Sequence, residues 1–495
     1  MVECGRQTEF ILSADYLCLK SVLILIRKGF GFEMKADKKV GAGVDLLNGN
    51  IVKSLLIFAI PLFISNGFQQ MYNAVDTMIV GRYLGDVSLA AIGACAAVYE
   101  LMVGFALGFG NGLSIVAARG YGAGDQELLK KSVAGSIVVG AGVTVVLMAL
   151  SRLCLHPLLV LLDTPADILE ESWSYISLIT LFVGVMFAYN LLAGLLRAIG
   201  NSIVPLIFLM LSSVLNIVLD LYFIAGLHMG INGAAAATVI AQGISALLCA
   251  LYIAKWCPIL IPKRCHFRAG VRLYKELIAQ GLSMGLMVGI VSTGTVILQA
   301  GINNLGDYRL IAAQTSARKL QSFCIMPLTS LGLALSTFVS QNRGAGQKKR
   351  IRMAVRYANM LSAGWALFVL LVLSVGAGWM MKFISGSSEA AVLDNGTRYL
   401  RINSLFYMVL GMLFNLRNSL QGLGSKLVPL ISSVIELIGK ILFVIFLIPV
   451  LGYFGVIICE PVIWCLMCLQ LLWAFYNHPY IKKGKIAKSM QKLCR

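Results

Sequence analysis

Twelve long apolar runs constrain this chain more than any other feature of it. They lie at about 53–80, 88–117, 131–152, 168–195, 203–226, 231–256, 273–302, 309–340, 353–379, 396–420, 427–449 and 453–477, separated by Gly, Pro or charged residues. A helix of about 20 apolar residues crosses the hydrocarbon of a bilayer. Lipid offers no water to satisfy peptide groups, so runs this long are expected as helices. Composition agrees: 59% of the 495 residues are hydrophobic and 13% charged, with a mean hydropathy of +0.85, against about 25% charged in ordinary soluble domains. A soluble enzyme, a nucleic-acid binder and a β-barrel are excluded, and a lipid bilayer is the expected surrounding.

The net charge of +19 would suggest a nucleic-acid partner in a soluble protein. Here the distribution decides. Of the 41 Lys and Arg, 32 fall in alternate connections (1–53, 119–131, Arg197, 255–275, 343–356, Arg417 with Lys426, and 482–495). By the positive-inside rule these connections and both termini are cytoplasmic, as an even span count requires. The chain reads as a multi-pass protein of the inner (cytoplasmic) membrane, expected as a monomer without a nucleic-acid partner. Its twelve cysteines follow no zinc-ligand or secreted-disulfide spacing, and Cys465 and Cys468 in the last run have no redox context around them.

The expected organisation is a cytoplasmic extension at 1–50, six spans in 51–260, a basic linker at 261–272, six spans in 273–480 and a basic tail at 481–495. Within the extension, Ser21–Ile26 is too short to span a membrane. Met34, followed by Lys35, Lys38 and Lys39, reads as a more natural start, which makes residues 1–33 dispensable or not native.

The two sets of spans repeat one another. Leu84-Gly-Asp86 recurs as Leu305-Gly-Asp307, Gly122-Ala-Gly124 as Gly344-Ala-Gly346, and Ile199-Gly-Asn-Ser-Ile-Val-Pro205 resembles Leu423-Gly-Ser-Lys-Leu-Val-Pro429. An even number of spans per repeat brings the second half in with the orientation of the first. The expected fold is therefore all-α: twelve transmembrane helices in two six-helix lobes, related by a pseudo-two-fold axis along the membrane normal.

Three segments carry a resemblance to a known family. Pro61 ahead of Asp76 in the first span, the stretch Tyr72-Asn-Ala-Val-Asp-Thr-Met-Ile-Val-Gly-Arg-Tyr-Leu-Gly85, and Val339-Ser-Gln-Asn-Arg-Gly-Ala-Gly346 resemble the multidrug and toxic compound extrusion (MATE) transporters over about residues 50–478. The resemblance implies a secondary efflux antiporter. Such a protein exports amphipathic, often cationic organic compounds in exchange for inward Na+ or H+, and needs no cofactor.

Ionisable groups in the hydrocarbon are costly and functional by default. They are Asp76, Glu100 and Asp220 in the first half, then Arg318, Lys319, Glu436 and Lys440, with Glu460 near an edge. Asn216 and Asp220 are four apart and share one face of the fifth span. Thr238 in the sixth span reaches a similar depth, counted from the turn at Gly226–Gly230, and Asp76 would close the site. The resemblance implies a cation site on this same foursome; the plainer alternative is that Asp76 and Asp220 are capped by neighbouring hydroxyls and amides. The repeat maps Asn216 to Lys440, Asp220 to Val444 and Asp76 to Ile297, so the site is not duplicated. Glu436 and Lys440 are expected to form an i,i+4 pair instead, and of the adjacent Arg318 and Lys319, which point about 100° apart on a helix, one is expected to face a carboxylate or the central cavity.

Gln69, Tyr72 and Asp76 lie on one face of the first span. The resemblance implies substrate contact for Gln69 and Tyr72, against simple helix packing as the alternative, and Pro61 should kink the helix. A rival function within the same superfamily is a lipid-linked saccharide flippase, against which the carboxylate cluster and the count of twelve spans both argue. No H-E-x-x-H motif suggests an enzyme, and a channel would more often place its symmetry between subunits.

Overall fold

The structure, a computed structural model, describes residues 43–161 and 164–482. The extension up to residue 42 and most of the basic tail lie outside the described residues, as do the expectations placed on Met34 and 1–33. Among the described residues there are helices and no strands.

The first six spans are α1 (Ile51–Leu84), α2 (Asp86–Gly122), α3 (Gln126–Leu161), the pair α4 (Ala166–Leu181) and α5 (Val183–Ala198), α6 (Ile203–Asp220) and α7 (Ile231–Trp256). Two short 3-10 turns follow, and then the second six: α8 (Val271–Asn303), α9 (Tyr308–Gly344), α10 (Lys348–Ser385), the pair α11 (Ala390–Ser404) and α12 (Tyr407–Gly422), α13 (Leu427–Leu442) with α14 (Ile448–Leu451), and α15 (Tyr453–Asn477). Among the described residues ten helices are long and apolar enough to cross a membrane, and the two bent pairs, each taken as one span, bring the number to twelve. The twelve expected runs coincide with these spans.

The pairs α4/α5 and α11/α12 bend by 46° and 55°. Each break has a side chain bonded to carbonyls of the preceding turn, which competes with the helical ladder. Thr180 donates to the carbonyls of Ile176 (2.9 Å) and Ser177 (3.2 Å). Asn403 donates to Tyr399 (3.0 Å) and, across to α15, to Ile457 (3.1 Å). A second repeat-related irregularity is the π turn after α6 (Leu221–Gly226) and after α13 (Phe443–Leu447). Pro61 does not interrupt α1, which runs through it as a single helix.

The lobes meet along α2 and α8. Gly104, Gly108 and Gly112 recur every fourth residue, as do Gly281, Gly285 and Gly289 opposite them, and small residues at this spacing let helix backbones touch. A Cβ at Gly108 would stand 2.6 Å from the Met284 carbonyl oxygen, and one at Gly112 2.6 Å from that of Gln280. At the end bearing the basic connections, the repeated Gly-Ala-Gly motifs come together: Gly122 abuts Gln341, and Gly344 abuts Arg119. Gly124 (φ 68°) and Gly346 (φ 72°) end these helices in the left-handed region that only glycine enters freely. Bonds across the lobes reinforce the junction: Ser340 to the Ile115 carbonyl (2.7 Å), Gln341 to the Ala198 carbonyl (2.7 Å) and the Arg119–Glu276 ion pair (2.7 Å).

Helix α1 belongs to both lobes. Ile51, Leu55, Phe58 and Leu62 pack into the apolar core of the second lobe, whereas Ile79 and Val80 pack with α2, α4 and α7 of the first.

Candidate functional site

Asn216 and Asp220 occupy the last turn of α6, just before the π turn, and are 2% and 0% exposed. The Asn216 amide donates to the Thr238 hydroxyl of α7 at 3.5 Å. The carboxyl of Asp76, from α1, lies within hydrogen-bonding range of Asp220's. As two carboxylates, neither has a proton to offer the other. Asp76, Asn216, Asp220 and Thr238 are thus brought together as the sequence suggests.

The electrostatics of this pocket are incomplete. Both Asp220 oxygens, Asp76 Oδ1, Asn216 Oδ1 and Gln242 Oε1 are buried and accept no hydrogen bond among the described residues. A buried polar oxygen without a donor costs about 1–3 kcal/mol, more when charged. Such a set of hard oxygens asks for a cation or a proton. No group of three or more His, Cys, Asp or Glu that could hold a metal ion comes together among the described residues. An ion here would therefore rest on two carboxylates, amide oxygens and a hydroxyl.

Three neighbours escaped sequence reasoning. Gln242 lies one turn beyond Thr238 on α7, and the Tyr72 hydroxyl is within hydrogen-bonding range of Gln69 and Gln242. Tyr99 and Tyr175 stand within electrostatic range of Asp76. The i,i+4 spacing of Thr238 and Gln242 was a usable signal. For the two tyrosines no local signal existed.

The second lobe is arranged oppositely. Lys440 Nζ donates to Glu436 Oε1 at 2.9 Å, and Arg417 lies 3.7 Å from Glu436 while donating to the Ser432 hydroxyl at 3.0 Å. Arg417 is 5% exposed, so it is an interior cation and not the connection charge that the sequence suggested. Glu460, expected near an edge, is buried. It accepts from Gln321 (3.2 Å) and Tyr399 (3.0 Å) and lies 3.9 Å from Arg318. Lys319, the next residue, is exposed, as is Glu100 of the first lobe. Gly294 makes room for the lysine, since a Cβ there would stand 3.0 Å from Lys440 Cδ. The two buried carboxylates of this lobe, Glu436 and Glu460, are thus answered by cations of the chain itself.

Comparison with known proteins follows the same duplication. The MatE family model matches twice, over residues 61–222 and 284–446. The chain belongs to the MatE family. MatE proteins are transporters and not enzymes, and this chain is a multi-span membrane protein of that bacterial transporter family. It is 27% identical over 460 residues to the probable multidrug resistance protein YoeA of Bacillus subtilis, covering 89% of this chain and 96% of that one. To the probable multidrug resistance protein YpnP of the same organism it is 25% identical, covering 79% and 87%. To the multidrug export protein MepA of Staphylococcus saprophyticus it is 23% identical, covering 86% and 92%. Among solved structures, a MATE protein in complex with MaL6 superposes with a TM-score of 0.82 at 24% identity, covering 89% of this chain and 99% of that one. An outward-facing MATE transporter of the MOP superfamily gives a TM-score of 0.82, also at 24% identity, covering 90% and 100%. These structural likenesses establish the fold.

Proposed function

We propose that this MatE protein is a secondary antiporter that exports amphipathic, often cationic organic compounds in exchange for inward Na+ or H+. The coupling ion sits among Asp76, Asn216, Asp220 and Thr238. The observation that carries this reading is the set of buried oxygens around Asp220 that receive no hydrogen bond. The multidrug resistance and export names of its relatives support the cargo class.

The mechanism is one of linkage. A cation that binds the pocket stabilises the arrangement of α1, α6 and α7 that holds the oxygens together. If organic cargo prefers the other arrangement, each ligand lowers the other's affinity by the same factor. Inward flow of one charge yields about 2.3 kcal/mol per 100 mV, enough for about a fiftyfold cargo gradient. Gln69 and Tyr72 line the cargo's path beside Asp76, and Pro61 lies in the part of α1 packed in the second lobe, ahead of the part that carries the acid. The fixed cations Lys440, Arg417 and Arg318 leave Glu436 and Glu460 no need of an external ion, so coupling runs through the first lobe. The protein works in the inner membrane as a monomer with both termini cytoplasmic.

The test is dye efflux from proteoliposomes driven by an imposed Na+ or pH gradient. The wild type is expected to respond to one of the two, and Asp220→Asn to lose the gradient-driven component while remaining inserted and folded. Full gradient-driven efflux by Asp220→Asn would refute the assignment.

A further inference from the structure

A cavity of about 240 Å³ lies between α1 and α9, bordered by Asn66, Gln69 and Gln70 on one side and Ser322, Ile325, Met326 and Thr329 on the other. It spans the two lobes, and its lining holds no ionisable side chain. Its hydrogen-bonding character follows from where the protons already go. Ser322 donates its hydroxyl proton to the Arg318 carbonyl (2.9 Å), and Thr329 donates to that of Met326 (2.9 Å). Asn66 donates its amide to the Ser330 hydroxyl (3.0 Å), whose own proton goes to the Met326 carbonyl (2.8 Å). Ser322 and Thr329 therefore keep only acceptor lone pairs beside the cavity, their hydroxyl protons being committed to the protein, and Asn66 adds an amide oxygen. A hydroxyl oxygen keeps two acceptor sites after donating, and an amide oxygen likewise.

We infer that this cavity is a cross-lobe subsite for the part of a cargo molecule that carries N–H or O–H donors next to a polarisable ring. The hydroxyl oxygens of Ser322 and Thr329, with the Asn66 amide oxygen, reward donors and do not reward an alkylated nitrogen of the same shape, while the amides of Gln69 and Gln70 can present either an oxygen or an N–H. The Met326 thioether supplies a soft, adaptable contact to an aromatic face. The absence of charge in the lining means that the subsite reads donors and not net charge. Charge recognition is left to the acidic pocket further along α1. This inference deepens the transport reading and rests on it for the claim that the ligand is cargo.

The probe is a matched pair of dyes: ethidium, with two primary arylamines, and its N-permethylated analogue. Equilibrium binding to the purified full-length protein is read by dye fluorescence. The wild type should bind ethidium more tightly than the analogue. Ser322→Ala and Thr329→Val should each weaken ethidium about two- to tenfold, the range for one lost hydrogen bond, and leave the analogue unchanged. Thr329→Ser keeps the acceptor and should keep the wild-type preference, so it carries the comparison if the valine variant does not fold. Equal binding of the two dyes by the wild type, no measurable binding of either, or an undiminished preference in both the Ser322→Ala and Thr329→Val variants would overturn the inference. Loss of gradient-driven efflux with the donor preference intact would instead sink the exchange reading and leave the subsite standing.

Discussion

Substituting Gly122 by alanine should shift the balance between the two access states of the transporter. In the present arrangement a Cβ at Gly122 would stand 2.0 Å from the Gln341 carbonyl oxygen, whereas ordinary contact begins at 3.4 Å. The obstruction is backbone, so no side chain can swing aside. Opposite it, a Cβ at Gly344 would stand 2.2 Å from the Arg119 carbonyl oxygen. Overpacking of this kind costs about 1–3 kcal/mol, and the cost falls only on the arrangement in which the basic ends of the lobes touch. A differential of that size corresponds to about a 5- to 150-fold change in the equilibrium. Spin labels at Gln126 and Lys349, on exposed positions at the basic ends of the two lobes, would report it by pulsed electron resonance. The long-distance population should grow in Gly122→Ala and grow further in Gly122→Leu. Unchanged distance distributions in both folded variants would show that the lobes do not part at this contact.

Two further outcomes are expected. Lys440→Met strips Glu436 of its 2.9 Å partner while Arg417 stays 3.7 Å away, so it should destabilise the protein by about 1–3 kcal/mol, below the cost of a wholly uncompensated buried charge; adding Arg417→Met should bring a further loss in thermal melting, and an unchanged melting temperature in Lys440→Met would count against the pairing. At the start of α1, burial alone would raise the carboxyl of Asp45, but bonds from the Asn48 side chain and from the backbone of Asn48 and Leu47, with Arg350 nearby, hold it below its ordinary value of 3.8. A carboxyl lowered on folding stabilises above its unfolded value and loses that contribution as pH falls through the folded one; hydrogen exchange of the α1 entry should therefore quicken below about pH 4 in the wild type and show no such step in Asp45→Asn.

The span boundaries were legible because glycine and charge punctuate them. The runs at 231–256 and 453–477 match α7 and α15 residue for residue, each entered from a glycine at positive φ, Gly230 (62°) and Gly452 (59°). The bends within α4/α5 and α11/α12 were not legible. They fall where Thr180 and Asn403 bond backbone carbonyls, with no proline to announce them. The acidic pocket could be assembled because charge in an apolar run is conspicuous, whereas Gln242, Tyr99 and Tyr175 look like ordinary helix residues until the fold brings them beside Asp76. Arg417 was misplaced for a similar reason: its partner Glu436 is on a different helix, and sequence spacing alone puts an arginine so near a helix end in the adjoining connection.

Helix α1 is rooted in one half of the molecule and carries its acid in the other. Any relative rotation of the halves must then pass through α1 as bending or torque, and it reaches the rod where proline has removed one rung of the ladder. A change in what Asp76 holds is felt at the root, and a change in how the halves sit is felt at the acid. Chemistry and leverage are united in a single rod.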